Sequence, residues 1–404
     1  MLPNKMIAIQ NYGNSGTLFI QSLLDNHPAL ISLPGLFGQQ LLPFWDRNNQ
    51  LSKEEFILQF LQENEYWFSP EKFPQLTYEH GLMHLDESQD QSIAIDKMQF
   101  EMYFRELLSE QCELNRKLYL CSVFKAYNKV IGREYNEDAW IVYPIHSLPQ
   151  KYAIWLTEDF GHAYFLHMIR NPVNLFGSLA KHINSHQYWG HFYLLECGAG
   201  QILNEFTIHG GNYPVHGATP FIADNAHIQS RGIKLEDLHK SPEQTLKSIC
   251  KWLNIEWSGS LLISTFNGKQ WFNRPESIKK SGFDEKITQQ SYTEVFSTFD
   301  KARIASVAQD LLHVFGYSAD EFKKIKFIKL AIWLPFAMEK NKGRANRQRQ
   351  EIKTPEKRPY FYNKPILFPT LAYYRWRVKK YISARRWLLK CIKQTSDKNF
   401  VKLL

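Results

Sequence analysis

The sequence predicts an α/β domain built on a parallel sheet, because three segments each show a short strand-like run followed by a helix. The runs are Met6–Ile9, Ala163–Ile169 and Gly232–Leu235. Apolar residues at helical spacing follow the first run, and Pro172 and Pro242 mark helix starts after the other two. Strands that alternate with helices in this order are typical of domains with a parallel sheet.

The first of these segments has the composition of a phosphate-binding turn. Gly13 and Gly16 lie between the strand and a helix that runs to Pro28, and Ser15 and Thr17 add hydroxyl donors. Glycines let the backbone approach an anion, and a helix start presents N–H groups to it. The turn is not a Walker A loop, since no Lys follows its glycines. The alternative is an ordinary strand-to-helix turn.

Two later stretches favour the phosphate-binding interpretation of this turn. Arg170-Asn171-Pro172 is followed by Ser178, and residues 231–257 read R-G-I-K-L-E-D-L, then S-P-E-Q-T-L, then C-K-W-L-N-I-E-W. Taken in order, the three stretches resemble the sulfotransferase family, whose members use 3′-phosphoadenosine 5′-phosphosulfate (PAPS). The family's first motif is [KR]-S-G-[ST]-[ST], its second is R-[DN]-P-x-x-x-x-x-S, and its third contains an E-D-L segment.

The resemblance implies a three-layer α/β fold, P-loop-like in its phosphate site, with about five parallel strands and helices on both faces. It also implies where the nucleotide binds. The 5′-phosphosulfate would lie on the first turn and the 3′-phosphate on the second motif and a later basic loop. The residues that match are Asn14, Ser15, Gly16, Thr17 and Leu18 for the 5′-phosphosulfate, and Arg170, Ser178, Lys279 and Lys280 for the 3′-phosphate. Helical patterns at 54–68 and 99–108 match the insertion that covers the family's substrate side.

Asn14 departs from the family, which usually has Lys or Arg at this position. That cation is thought to neutralise the oxygen between phosphate and sulfate as their bond breaks, and an amide stabilises a developing anion less. We predict a strand at Lys117–Phe124, which would place Lys125 at the carboxyl end of the sheet as a replacement cation. The alternative for Lys125 is a solvated lysine at a strand end.

The general base is not identified by the sequence. His27, His146 and Glu196 are nominal candidates, with a capping or packing role as the alternative for His27. The pair His182 and His186 reads as solvated helix residues, and we predict no metal site. The five cysteines show no C-x-x-C spacing, which argues against a zinc site and a disulfide framework and favours a reducing cytoplasm.

Charge divides the chain into two parts. Residues 321–404 hold 23 Lys and Arg against 5 Asp and Glu, whereas residues 1–320 hold 26 against 35. We therefore predict a domain at 1–320 and a basic, aromatic-rich helical extension at 321–404. Clustered cations with aromatic anchors, as in 373–390, are typical of an element on an anionic membrane surface. Packing of the extension on the acidic domain and nucleic-acid binding, which we consider unlikely, are the alternatives.

No signal peptide or spanning segment is predicted, so we expect a cytoplasmic protein, with peripheral attachment to the inner face of the membrane as a further expectation. The function expected from the resemblance is sulfuryl transfer from PAPS to a hydroxyl or amine, with a lipid or glycan at a membrane as the acceptor. A non-catalytic nucleotide-binding protein that acts as a membrane-associated partner is the rival, and Asn14 favours it.

Overall fold

The structure is a computed structural model with a six-stranded, entirely parallel sheet at its centre. It describes residues 3–10, 15–35, 37–77, 81–136, 138–145, 150–171, 173–175, 177–178, 228–272, 282–286, 296–318, 325, 378, 382, 386, 389 and 402–404. Two further strands, β6 Thr265–Phe266 and β7 Lys269–Gln270, form a separate small antiparallel hairpin. The strands of the six-stranded sheet are β1 Lys5–Gln10, β2 Leu30–Ser32, β3 Trp140–Ile145, β4 His162–Ile169, β5 Gln229–Lys234 and β8 Lys402–Leu403. Their order across the sheet is β2-β3-β1-β4-β5-β8.

Helices surround this sheet in the described parts of the chain. They are α1 Thr17–Leu24, α2 Leu41–Asn48, α3 Lys53–Glu63, α4 Pro74–Thr77, α5 Lys97–Ser109, α6 Arg116–Val130, α7 Gln150–Asp159, α8 Leu235–Lys240, α9 Pro242–Leu253, α10 Thr298–Val307 and α11 Gln309–Val314. No helix among the described residues is long and apolar enough to cross a membrane.

Both faces of the sheet are covered by helices. Tyr164 of β4 lies in register with Ile7 of β1 and Val142 of β3, and its ring contacts Trp252 of α9. Successive side chains of a strand point to opposite faces, so Tyr143 projects to the other side, where its ring contacts Phe124 of α6. The predicted three-layer α/β fold with a parallel sheet is therefore confirmed. Burial on both faces also explains why β1 and β3 are nearly continuous apolar runs.

The predicted strand at Lys117–Phe124 is wrong. These residues lie within α6, whose first turn is capped by the Asn115 side chain as it accepts the N–H of Leu118 at 2.9 Å. Almost every side chain from Leu118 to Phe124 is buried, so the helix shows an unbroken apolar run instead of an amphipathic stripe. Short apolar runs of this kind do not distinguish a buried helix from a buried strand.

The strand that completes this part of the sheet is β3. Pro144 lies inside it, and prolines are rare in central strands because they cannot donate to the ladder. Residues 31–50 contain Pro34, Gly35, Gly38 and Pro43, which are typical of a loop, yet they include the end of β2 and all of α2. Tertiary burial overrode the local turn signals in both places.

The helical insertion predicted at 54–68 and 99–108 is confirmed in its main helices, α3 and α5. A capping box starts α3, with the Ser52 side chain accepting the N–H of Glu55 and Glu55 accepting the N–H of Ser52. Aromatic side chains from α2, α3, α5 and α6 pack edge to face or tilted at centroid distances near 5–6 Å, among them Phe44, Phe56, Phe60, Phe100, Phe104 and Tyr119. This aromatic cluster makes the insertion a rigid part of the domain.

A buried polar cluster ties the last residue of β2 to the β6–β7 hairpin. The carboxylate of Asp25, just after α1, accepts hydrogen bonds from Ser32 at 2.7 Å, from Arg133 at 2.9 Å and from the backbone N–H of Gly268 at 3.1 Å. Asp25 and Arg133 are both almost fully buried. A buried carboxylate with this many donors has a structural role, because removing either charge would leave the other unpaired.

Candidate functional site

The strand order creates a crevice at the carboxyl edge between β1 and β4. After β1 the chain passes to β2 on one side of the sheet, whereas after β4 it passes to β5 on the other side. The loops that leave these two neighbouring strands therefore diverge, and ligands of open α/β sheets bind at such a point. Gln10 at the end of β1 lies in register with His167 of β4. The two predicted phosphate-binding turns thus begin at adjacent strand ends.

The β1–α1 turn depends on Gly16. Its backbone has φ 91° and ψ 23°, a left-handed conformation that glycine adopts without steric cost, and α1 begins at the next residue. A Cβ at this position would lie 2.5 Å from Cδ1 of Leu235, the first residue after β5. The backbone conformation favours glycine, and a methyl group at this position would displace the end of the Leu235 side chain, so the turn packs closely against the residue that follows β5.

This turn presents the start of an eight-residue helix to the crevice. The Gly16 carbonyl accepts the N–H of Ile20 at 3.0 Å, and no side chain caps α1 at Gly16. Ser15 is buried, while Thr17 and Leu18 are half-buried. The N-terminal end of a helix carries a partial positive charge, which favours an anion at this place.

The turn after β4 is built by the predicted Arg-Asn-Pro motif. Asn171 is the N-cap of the helical residues that follow, since its side-chain oxygen accepts the N–H of Val173 at 2.9 Å and its carbonyl accepts that of Leu175 at 2.8 Å. Arg170 directly precedes the cap and is only 6% exposed. Ser178, two turns further on, is half-buried. The motif therefore combines a helix cap with a buried cation beside the crevice.

Glu236 connects this turn to the end of β5. One carboxylate oxygen accepts the N–H of Asn171 at 3.0 Å, and the other accepts the hydroxyl of Tyr317 at 2.7 Å. Burial raises the pKa of Tyr317 well above its usual value, and the Glu236 charge adds to this effect. Tyr317 therefore stays a neutral donor. Glu236, in the E-D-L motif, thus holds the backbone next to Arg170.

Tyr317 was not found by sequence analysis. It follows Gly316 and belongs to no recognised motif. Lys234 of β5 extends over its ring, with Nζ 4.7 Å from the centroid. Contacts with Lys234 and Glu236, at the end of β5, bring Tyr317 to the site.

A second segment is anchored on α1. Nδ1 of His239, in α8, accepts the N–H of Asp284 at 3.1 Å, and its ring stacks on Phe19 with centroids 4.8 Å apart. Phe283 packs edge-on against the same Phe19 ring at 5.4 Å. Phe19 lies in the first turn of α1, so residues 282–286 are held close to the β1–α1 turn.

Two sequence predictions about charged or basic groups need correction. Lys125 is a residue of α6 and not the end of a strand, so it lacks the position on which its role as a replacement cation depended. His27 is buried after the C-terminal end of α1, about 12 Å from the start of that helix at 1.5 Å per residue. Its Nδ1 accepts the N–H of Ala29 at 3.1 Å, and its Nε2 donates to the Glu256 carbonyl at 2.9 Å.

These contacts make His27 a packing residue and not a base. Burial lowers the pKa of His27, and the bond to Glu256 opposes this only in part, so the ring stays neutral with both nitrogens used. The remaining predicted site residues lie outside the described parts of the chain. They are Gly13, Asn14, His146, His182, His186, Glu196, Lys279 and Lys280. In the described residues no three His, Cys, Asp or Glu side chains are grouped as a metal site.

Comparison with known proteins gives only distant structural similarity. No protein-family model matches the chain, and no curated protein does. Among solved structures, it is similar to the sulfotransferase domain of the Synechococcus PCC 7002 olefin synthase, at 15% identity and a TM-score of 0.35, over 78% of this chain and 96% of that one.

Two further solved structures show the same degree of similarity. The sulfotransferase domain from the curacin biosynthetic pathway is 18% identical, with a TM-score of 0.36, over 78% of this chain and 99% of that one. Sulfotransferase STF9 from Mycobacterium avium is 13% identical, with a TM-score of 0.32, over 65% and 66%. Similarity at this level does not assign an activity to the chain.

Proposed function

We propose that this protein is a sulfotransferase that moves a sulfuryl group from PAPS to a hydroxyl or amine and leaves adenosine 3′,5′-bisphosphate. The observation that carries the proposal is the pairing of two anion-binding turns at neighbouring strand ends. One is the Gly16 turn at the start of α1, and the other is the Arg170 turn after β4. A ligand with phosphate groups at both its 5′ and 3′ ends fits two separate anion-binding turns better than a single phosphate does.

In this proposal each turn holds one end of the nucleotide. Backbone N–H groups of residues 15–18 and the Thr17 hydroxyl hold the 5′-phosphosulfate. Arg170 and Ser178 hold the 3′-phosphate, and Arg170 supplies charge-assisted hydrogen bonds. Lys279 and Lys280, which the resemblance to the sulfotransferase family assigns to the 3′-phosphate, add charge there. Glu236 keeps the Arg170 turn in place through the Asn171 N–H.

The reaction is an in-line displacement at sulfur. The acceptor oxygen or nitrogen forms a bond to sulfur while the bond from sulfur to the bridging phosphate oxygen breaks, and the acceptor proton passes to a base. The protein must align the two groups and stabilise the charge that develops on the leaving bisphosphate. The α1 N-terminus serves the second need, and Asn14 donates a hydrogen bond where the family has a cation. His146 and Glu196 remain the candidates for the base.

The direct test compares two nucleotides in calorimetry. Arg170→Ala should weaken the binding of adenosine 3′,5′-bisphosphate by about 1.5–3 kcal/mol, the value of a hydrogen bond to a charged group. It should change the binding of adenosine 5′-phosphosulfate, which lacks the 3′-phosphate, much less. Lys247→Ala is a matched control, because it removes an exposed cation of α9 that pairs with Glu243 and lies over the ring of Trp257. Equal losses for both nucleotides would refute the role of Arg170.

We also propose that the basic extension, residues 321–404, attaches the protein to an anionic membrane surface, where a lipid or lipid-linked glycan is the acceptor. Its charge of 23 cations against 5 anions supports this, since each cation near anionic lipid contributes about 1 kcal/mol. The full chain should float with phosphatidylserine vesicles and not with neutral ones. Binding should weaken with salt, as the Debye length falls from ~10 Å at 0.1 M to ~3 Å at 1 M. Flotation that does not weaken with salt would argue against attachment through the positive charge of the extension.

The rival function is nucleotide binding without catalysis. In this rival function the same two turns bind adenosine 3′,5′-bisphosphate, but no sulfuryl group is transferred. The reason is that Asn14 is uncharged where the family has Lys or Arg, and no other cation takes that role. The correction to Lys125 favours this rival, since the residue lies on α6. A turnover assay with PAPS and a panel of phenol, glycan and lipid acceptors separates the two functions.

A further inference from the structure

One short helix, α8, contacts both anion-binding turns. Its first residue, Leu235, lies against Gly16, where an added Cβ would be 2.5 Å from Cδ1 of the leucine. Its second residue, Glu236, accepts the N–H of Asn171, in the other turn, at 3.0 Å. Consecutive residues of α8 therefore link the two turns, in addition to the sheet from which both turns start.

The position of α8 on α1 is fixed at two points. Leu235 and His239 are four residues apart, so they lie on the same side of α8, one turn from each other. Leu235 contacts Gly16, and the ring of His239 stacks on that of Phe19 with 4° between the ring planes. Leu235, Leu238 and His239 are each at most 6% exposed. Two buried contacts one turn apart prevent α8 from pivoting on the surface of α1.

The link from α8 to the Arg170 turn is held from two sides. One oxygen of the Glu236 carboxylate accepts the Asn171 N–H, and the other accepts the hydroxyl of Tyr317 at 2.7 Å. The carboxylate therefore has a fixed direction. The sheet alone does not fix the spacing of the turns, because β1 ends at Gln10 and Gly16 does not directly follow it. The contacts of α8 supply this restraint.

We propose that α8 is a spacer that fixes the distance between the two anion-binding turns, so that the protein prefers a ligand with two linked anionic groups to a ligand with one. When one group is bound, the second is presented to the other turn at a high effective concentration, provided that the spacing does not fluctuate. Leu235 and Glu236 are positioning residues in this role, since each acts through a turn. The identity of the ligand, adenosine 3′,5′-bisphosphate, rests on the proposed function.

Calorimetry with three nucleotides measures the effect of this spacing in the full chain. Adenosine 5′-phosphate carries only the 5′ group, adenosine 3′-phosphate only the 3′ group, and adenosine 3′,5′-bisphosphate both. Leu235→Ala and Glu236→Ala should each weaken the binding of the bisphosphate by about fivefold or more beyond any loss for either monophosphate. A residue that only shaped one turn would instead weaken the bisphosphate and the monophosphate of that turn by the same factor.

The double variant and a control on the same helix sharpen the test. Once one contact is lost the spacing is free, so Leu235→Ala with Glu236→Ala should weaken bisphosphate binding little more than either single change does. Lys240→Ala removes an exposed side chain at the end of α8 and should leave all three affinities unchanged. If Leu235→Ala does not fold, Glu236→Ala decides the question, because its side chain is only half-buried.

Two outcomes would overturn the spacer and leave the proposed function intact. One is an equal loss for the bisphosphate and for the monophosphate of the altered turn. The other is a double variant whose loss of affinity is the product of the two single losses. An unaltered chain that binds no bisphosphate would refute the proposed function and the spacer together, so the two failures are distinguishable.

Discussion

Replacing Gly16 by alanine tests whether this glycine is required for the turn. Alanine at φ 91° adopts a left-handed conformation at a cost of about 1–2 kcal/mol. Its Cβ would also lie 2.5 Å from Cδ1 of Leu235, and overpacking of a well-packed site costs about 1–3 kcal/mol. Together the structure predicts a loss of roughly 2–5 kcal/mol in the free energy of unfolding.

Gly132 provides the matched control. Its φ is 69°, yet a Cβ there would meet nothing within 4 Å, so Gly132→Ala measures the conformational cost alone. Urea unfolding should show Gly16→Ala as the more destabilised by about 1–3 kcal/mol. Gly16→Ala should cost less stability in a Leu235→Ala background than in the unaltered chain, because the shortened side chain vacates the space that the new methyl group needs.

The same variants report on the candidate site. Calorimetry with adenosine 3′,5′-bisphosphate should show weaker binding for Gly16→Ala and unchanged binding for Gly132→Ala. If Gly16→Ala is no more destabilised than Gly132→Ala, and its cost is the same in the Leu235→Ala background, then the contact between the turn and the end of β5 does not constrain position 16. That result would refute the account of the turn given above.

Two further predictions concern Asn14 and His27. Asn14→Lys should raise the rate of sulfuryl transfer about tenfold or more, which requires the barrier to fall by only ~1.4 kcal/mol. Transfer from radiolabelled PAPS measures this rate, and Asn14→Gln is the uncharged control. If the variant binds the nucleotide but transfers no faster, the non-catalytic rival is supported. His27→Gln should flatten the pH dependence of stability. Burial lowers the pKa of His27 below its value of about 6.5 in the unfolded chain, so the unfolded state binds more protons and stability falls as the pH drops below 6.5. Urea unfolding at pH 5 and pH 7.5 measures the change in the free energy of unfolding between the two pH values. The same change in the variant as in the unaltered chain would show that His27 does not contribute.

The sequence predicted the elements in which local pattern and tertiary role agree. The apolar run at Met6–Ile9, the Ser241-Pro242 helix start and the helical residues that follow Asn171 appear in the structure as expected. In each case the residue type acts through its own backbone or its nearest neighbours. A capping Asn needs only the N–H groups that follow it, and a proline helix start needs only its restricted φ.

The sequence did not reveal the elements that depend on burial. Residues 117–124 and the strand Trp140–Ile145 are both continuous apolar runs, and only packing on the sheet makes the first a helix and the second a strand. Lys125 lost its predicted role for the same reason.

The sequence by itself determined the α/β class, the order of the two anion-binding turns and the division of charge between domain and extension. Tertiary structure alone decided which strands are neighbours, and so which turns share a crevice. It also decided that Tyr317 and Glu236 hold the Arg170 turn and that residues 402–404 join the sheet at Gly232. These contacts join residues far apart in sequence, and backbone pairing between strands leaves no mark in the side chains that a sequence records.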